Sequence, residues 1–129
     1  MESTLTGSIS ILRERGFSYH YLIDRDGTAI QCVSPVNAAF HAGQSKGPQG
    51  EGVNEYSISI SFVNKNDGTD PITAQQIDMA SFIAKRLKLT FKDLRFVTSH
   101  AMISPGRKTD PAGFSIEEFS AAAGLEAWL

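Results

Sequence analysis

Two β-rich runs, Tyr19–Asp24 and Thr28–Val33, flank the dipeptide Asp26-Gly27. Asp-Gly reaches positive φ at little cost, and between such runs it is the strongest short-range signal for a tight hairpin. A hairpin commits this stretch to a sheet, and the rest of the chain has to supply partners for it. Tyr56–Val63 offers one: Tyr56, Ile58, Ile60 and Phe62 alternate with Ser57, Ser59 and Ser61. That period of two predicts a strand with one apolar face and one small polar face, on which a helix or loop can approach closely. Leu94–Val97 predicts a further short strand.

The remaining periodic segments are helical. Leu5, Ile9 and Leu12 share a face, with Ser3 or Thr4 as the cap and Gly16 as the stop. Thr73 and Gln76 make a capping box ahead of Ile77, Ala80, Ile83, Ala84 and Leu87, with Met79 and Phe82 as ordinary packing residues. Ser115 and Glu118, bracketed by Phe114 and Phe119, combine a capping box with a hydrophobic staple. Gly43–Val53 holds four glycines and a proline without periodicity, and reads as a loop at the rim of a site. These elements predict an α/β (α+β) fold with a single mixed central sheet flanked by helices. With 129 residues, no repeat and no linker, residues 1–129 are expected to form one domain.

Composition excludes several roles. A net charge of -2 gives no overall field for nucleic acid or anionic lipid, so neither is expected as a partner. No apolar run reaches membrane-spanning length, and Met1–Gly7 lacks the basic and apolar pattern of a secretory signal, so synthesis in the cytoplasm is expected. The lone Cys32 excludes an internal disulfide and is expected as a half-buried strand residue.

Three histidines remain for chemistry: His20, His41 and His100. His100 stands ten residues before Asp110 across a Pro/Gly loop, and imidazole with carboxylate is a good donor pair for zinc. By spacing alone the same pair is also a surface side chain and a turn residue. Four segments then occur in one order: Ser18-Tyr19-His20-Tyr21-Leu22-Ile23-Asp24-Arg25-Asp26-Gly27, Phe40-His41-Ala42-Gly43, Asn54-Glu55-Tyr56-Ser57-Ile58-Ser59-Ile60, and Ser99-His100 through Arg107-Lys108-Thr109-Asp110-Pro111. Together they resemble the type 2 N-acetylmuramoyl-L-alanine amidases, a family that includes phage amidases, wall-recycling amidases and peptidoglycan recognition proteins.

The resemblance implies a zinc-dependent hydrolase of the amide between the lactyl group of N-acetylmuramic acid and L-Ala, with peptidoglycan or muropeptides as partners. It implies His100 and Asp110 as Zn2+ ligands and Lys108 as a cation beside the scissile carbonyl. It further implies that Tyr19 lines the catalytic site, that His41 and Asn54 contact substrate, and that His20 is structural, its imidazole satisfied by backbone or Tyr neighbours. Zinc supplies acidified water and a polarised carbonyl, and the ammonium stabilises the oxyanion. Without those neighbours Lys108 reads as a solvated loop residue beside Arg107.

The resemblance breaks in two places. The family's first ligand is a histidine at the end of an opening strand, and no histidine precedes His20. Three explanations are open: a longer reading frame, a rearranged His41 or His20, or a strand supplied by a partner in a homo- or hetero-oligomer that completes the sheet. Ser61 also stands where some members carry a proton-transferring glutamate. The alternative reading is therefore a peptidoglycan-binding or interaction module without a complete zinc site.

Overall fold

The computed structural model describes residues 4–129; Ser3, the alternative cap of the first helix, lies outside them. Helix α1 spans Leu5–Arg15, with the Thr4 hydroxyl accepting from Gly7 N–H and Gly16 closing the helix at φ 69°. Strands β1 (Tyr21–Ile23) and β2 (Ala29–Gln31) pair antiparallel, Leu22 opposite Ile30. The turn between them is held by Asp24 N–H to Thr28 C=O and by Thr28 N–H to the Asp26 carboxylate, so the expected hairpin is present with shorter strands.

After a single 3-10 turn at Val53–Glu55, β3 (Ile60–Phe62) lies parallel to β1. The expected strand over Tyr56–Val63 is thus cut to three residues. Tyr56 N–H closes the preceding turn onto Val53, and Ser59 N–H goes to the His20 ring instead of a backbone carbonyl, so the ladder begins only at Ile60.

Helix α2 spans Ala74–Thr90 and opens with the complete capping box of Thr73 and Gln76. Gln76 does more than cap. Fully buried, it accepts from Thr73 N–H and donates from Nε2 to the carbonyls of Ile23 and Val63, stitching the helix to β1 and to the residue after β3. Ala80, Ala84 and Leu87 face the core as the stripe predicts, whereas Phe82 is exposed with Arg86 above its ring. Strand β4 (Phe96–Val97) follows, then the one-turn helix α3 (His100–Ile103), helix α4 (Ile116–Ala123) and strand β5 (Glu126–Ala127), which pairs parallel with β4. Ser115 caps α4 through Glu118 N–H, and Phe114 meets Phe119 with ring centroids 5.5 Å apart, the predicted staple. The segment β5 is too short to leave a period in the sequence.

The mixed α+β architecture is as expected, with the sheet in two pieces: β2-β1-β3 and β4-β5. Ile23, Phe62, Ala80, Ala84, Phe119 and Ala123 form the main core beneath them. A second cluster of Ala42, Val53 and Ile103, with Trp128 packed against it, lies under the loops that carry the histidines. Cys32 falls just past β2 and is exposed, not half-buried. Among the described residues no helix is long and apolar enough to cross a membrane.

Candidate active site

Three aromatic side chains from separate elements meet above β3. Tyr19 precedes β1, His41 sits on the loop after β2, and His100 opens α3 behind its Ser99 cap. Their ring centroids form a nearly equilateral triangle: 5.9 Å for Tyr19–His41, 6.0 Å for Tyr19–His100 and 6.0 Å for His41–His100. His100 Nδ1 lies 2.7 Å from Asp110 Oδ2, so the loop does bring the two predicted ligands together. Both line one cavity with Tyr19 and His41.

Burial raises the Tyr19 phenol to about 12, reinforced by the charge of Asp110 and partly offset by a hydrogen bond with Ser61. Tyr19 is therefore a neutral donor across the physiological range. His41 moves the other way, down to about 4, first through burial and then through repulsion from His100 and His20. Its Nε2 lies 3.2 Å from Ser57 Oγ. Burial pushes the Asp110 carboxyl up, but the hydrogen bond and charge of His100, with the charge of Lys108, leave it lowered overall. At neutral pH the site thus holds a carboxylate, a neutral imidazole and a neutral phenol.

Lys108 is half-buried on the same loop, and its ammonium makes no ion pair among the described residues. Its charge reaches Asp110, which sets it near the site without locking it there. Asn54 reaches the site through the backbone: its Oδ1 accepts from His41 N–H at 3.2 Å and Ala42 N–H at 2.9 Å. Its Oδ1 is thus engaged in positioning His41. His20 is fully buried. Its Nδ1 accepts from Ser59 N–H at 3.0 Å, which puts the ring proton on Nε2, donating to Asn37 C=O at 2.7 Å. Both nitrogens are committed, so His20 serves structure, and it has no lone pair to offer a metal.

Arg107 has a part that its place beside Lys108 did not suggest. Its guanidinium donates to the carbonyls of Ala42 and Gln44 and to Ser104 Oγ, clamping the His41 loop to the loop of Lys108 and Asp110. No residue spacing announces a partner some sixty positions away.

A catalytic zinc takes three protein ligands and a water. His100 and Asp110 are donors of the right chemistry, but no group of three His, Cys, Asp or Glu side chains stands ready to hold a metal among the described residues. Their donor atoms also touch each other at 2.7 Å, where two ligands sharing a tetrahedral zinc at ~2.0–2.1 Å stand roughly 3.3 Å apart. The described residues alone do not make a zinc site.

Comparison with known proteins bears on the same cluster. The 1,6-anhydro-N-acetylmuramyl-L-alanine amidase AmpD of Escherichia coli (strain K12) is 36% identical over 97 residues, 73% of this chain and 51% of the relative. AmpD of Citrobacter freundii is 35% identical over 97 residues, 73% of this chain and 50% of the relative. The chain spans about half the length of these curated relatives. The solved amidase AmiD from E. coli, in complex with the substrate anhydro-N-acetylmuramic acid-L-Ala-D-γ-Glu-L-Lys, superposes with a TM-score of 0.85 at 26% identity, covering 97% of this chain and 55% of that one. AmpDh3 from Pseudomonas aeruginosa, in complex with anhydromuramic pentapeptide, gives 0.81 at 27% identity over 97% of this chain and 57% of that one. The profile of the N-acetylmuramoyl-L-alanine amidase family matches residues 2–113, a span that takes in Tyr19, His41, His100, Lys108 and Asp110, and the chain belongs to that family.

Proposed function

We propose that the chain is the catalytic portion of an N-acetylmuramoyl-L-alanine amidase that cleaves the lactyl-to-L-Ala amide of a muropeptide, an anhydromuramyl one included. The observation that carries this reading is the convergence of Tyr19, His41 and the His100–Asp110 pair on one cavity. The muramyl peptides named with AmiD and AmpDh3 support the substrate class.

Each side chain has a task in that reaction. Asp110, ionised, holds the His100 ring by its Nδ1. Tyr19 donates from an un-ionised hydroxyl to the substrate carbonyl or to the tetrahedral oxyanion. His41, neutral above about 4, is free to accept a proton or to hydrogen-bond the peptide. Lys108 swings its ammonium toward the developing negative charge. His100 and Asp110 would hold Zn2+ only if their 2.7 Å contact opened and a third ligand completed the set. Zinc there would supply a water acidified toward neutrality.

The incomplete donor set and the serine at position 61 favour a second reading, a module that binds muropeptides without cutting them. One assay separates the two. Purified protein, dialysed with and without zinc, is incubated with an anhydromuramyl tripeptide, and the released peptide is quantified. Hydrolysis that falls about 10²–10³-fold in Lys108→Ala supports the amidase. Saturable binding with no release under either condition refutes it and leaves the binding module.

A further inference from the structure

Lys108 and Asp110 ride on the loop that leaves α3 and leads to α4. Part of that loop is held from within. Ala101 N–H donates to Asp110 C=O at 3.1 Å, and the Arg107 and Lys108 N–H groups both reach back to Ser104 C=O. These bonds fix the shape of the loop but not its place against Tyr19, whose hydroxyl is bonded to Ser61 on β3. Among the described residues, Arg107 and Asn66 are the side chains that tie residues 105–112 by hydrogen bonds to parts of the chain beyond α3 and this loop. Arg107 faces the His41 loop, as described above. Asn66 comes from the sheet.

Asn66 follows β3, which ends at Phe62. Its Nδ2 donates to Thr109 Oγ1 at 3.2 Å, and its Oδ1 accepts from Ala112 N–H at 2.7 Å. One amide thus grips the chain on both sides of Asp110. A side chain with a donor and an acceptor on one carbon matches what the loop offers there, a hydroxyl oxygen and a backbone N–H. Asn66 is itself anchored. Its N–H donates to Asn64 Oδ1 at 2.7 Å, and buried Asn64 donates from Nδ2 to Asp70 C=O at 2.8 Å. The Asp70 carboxylate takes the Arg25 guanidinium on both oxygens, at 2.6 and 2.7 Å, and Val63 N–H is bonded to Ile23 C=O of β1. The path from Asp110 to β1 therefore runs through Asn66 and the turn that it anchors.

The backbone of Asn66 sharpens the case. At φ 58° it is the only non-glycine residue in the left-handed region among the described residues. An L side chain is crowded there, whereas glycine reaches the same conformation freely. Asparagine tolerates the position better than most residues, yet a turn alone needs no amide. The chain keeps a side chain at a strained position, and that side chain is engaged by the residues flanking Asp110.

We propose that Asn66 is a positioning residue: its side-chain amide sets the loop of Lys108 and Asp110 against the sheet to which Tyr19 is bonded. It touches no reacting atom and acts through Thr109 and Ala112. Its consequence for turnover rests on the amidase reading given above; the tie itself does not.

The test uses the whole chain and two substitutions. Asn66→Gly keeps the left-handed turn and removes both bonds. Asn66→Asp keeps them in another form, one oxygen accepting from Ala112 N–H and the other from the Thr109 hydroxyl turned to donate. Amide exchange followed by NMR reads the loop at Ala101 N–H, whose acceptor is Asp110 C=O and which Asn66 does not touch. In Asn66→Gly, exchange at Ala101 should quicken at least ~10-fold, while that of Cys32 N–H, bonded to His20 C=O, stays unchanged as the sign of an intact sheet. Asn66→Asp should stay within ~3-fold of the native chain. For release of peptide from the anhydromuramyl tripeptide, kcat should fall at least ~10-fold in Asn66→Gly with KM within ~3-fold, since misplaced groups slow the step and leave binding in place. Native exchange at Ala101 in Asn66→Gly overturns the inference, and so does an equal loss in Asn66→Asp. A rise in KM alone overturns it too, and makes Asn66 a binding residue. A native chain that releases no peptide overturns the amidase reading instead, and exchange at Ala101 then decides the tie by itself.

Discussion

Asn54→Ala tests whether the site is held by the brace described above. The substitution removes the acceptor of two backbone donors, Ala42 N–H at 2.9 Å and His41 N–H at 3.2 Å. Ala42 is 0% exposed, so its N–H is stranded, at a cost of about 1–3 kcal/mol. The longer bond from half-buried His41 adds about 0.5–1 kcal/mol. The sum, about 1.5–4 kcal/mol, is a large part of the ~5–15 kcal/mol that holds a domain folded, yet leaves most molecules native. Urea unfolding measures it. The single Trp128 packs on the Ala42–Val53–Ile103 cluster and reports locally. The site offers a second readout. His41 is held at about 4 by burial and by the other histidines, and a released loop exposes the ring, so its NMR titration should climb toward 6.5. Asn54→Asp keeps an acceptor and should keep the stability, while its added charge raises the His41 pKa. A loss below about 0.5 kcal/mol in Asn54→Ala, with His41 titrating as before, would refute the brace.

Gln76→Met should cost about 2–4 kcal/mol by urea unfolding, since it cancels three hydrogen bonds and strands the Val63 carbonyl; a loss under about 1 kcal/mol would mean the stitch between α2 and the sheet is dispensable. Asp70 is lowered from 3.8 to about 2, first by its hydrogen bond from Arg25 and then by Lys65 N–H. A depressed carboxyl stabilises the fold above its unfolded pKa, and that contribution fades as pH falls from about 4 to about 2. Unfolding midpoints measured over that window should slope in the native chain and less steeply in Asp70→Asn, where the lowered Asp26, Asp67 and Asp110 remain; equal slopes would remove Asp70 from acid unfolding.

Local chemistry was legible wherever neighbours in sequence are neighbours in space. The Thr4 and Ser115 caps, the Thr73–Gln76 box, the Asp26-Gly27 turn and the Phe114–Phe119 staple each depend on residues within five positions of one another. The His100–Asp110 pair was legible for the same reason, because a ten-residue loop closes on itself. Long-range work by polar side chains left no such mark. Gln76 reads as a cap, yet two of its bonds cross to sheet carbonyls. Arg107 carries no reading beyond its place beside Lys108, and it serves as a clamp. Asn54 reads as a substrate contact, and its part in bracing the backbone of His41 and Ala42 left no mark in the sequence. In each case the residue type was visible, and the partner, set by how loops meet, was not.

The misjudged extent of β3 follows from the same distinction. Alternation over Tyr56–Phe62 is a demand for two faces to be covered, and it carries no information about whether both edges are paired. β1 pairs with only three of these residues, because the His20 ring takes the Ser59 amide and the chain before it turns. Ser57 through Phe62 nonetheless line the cavity on their other side.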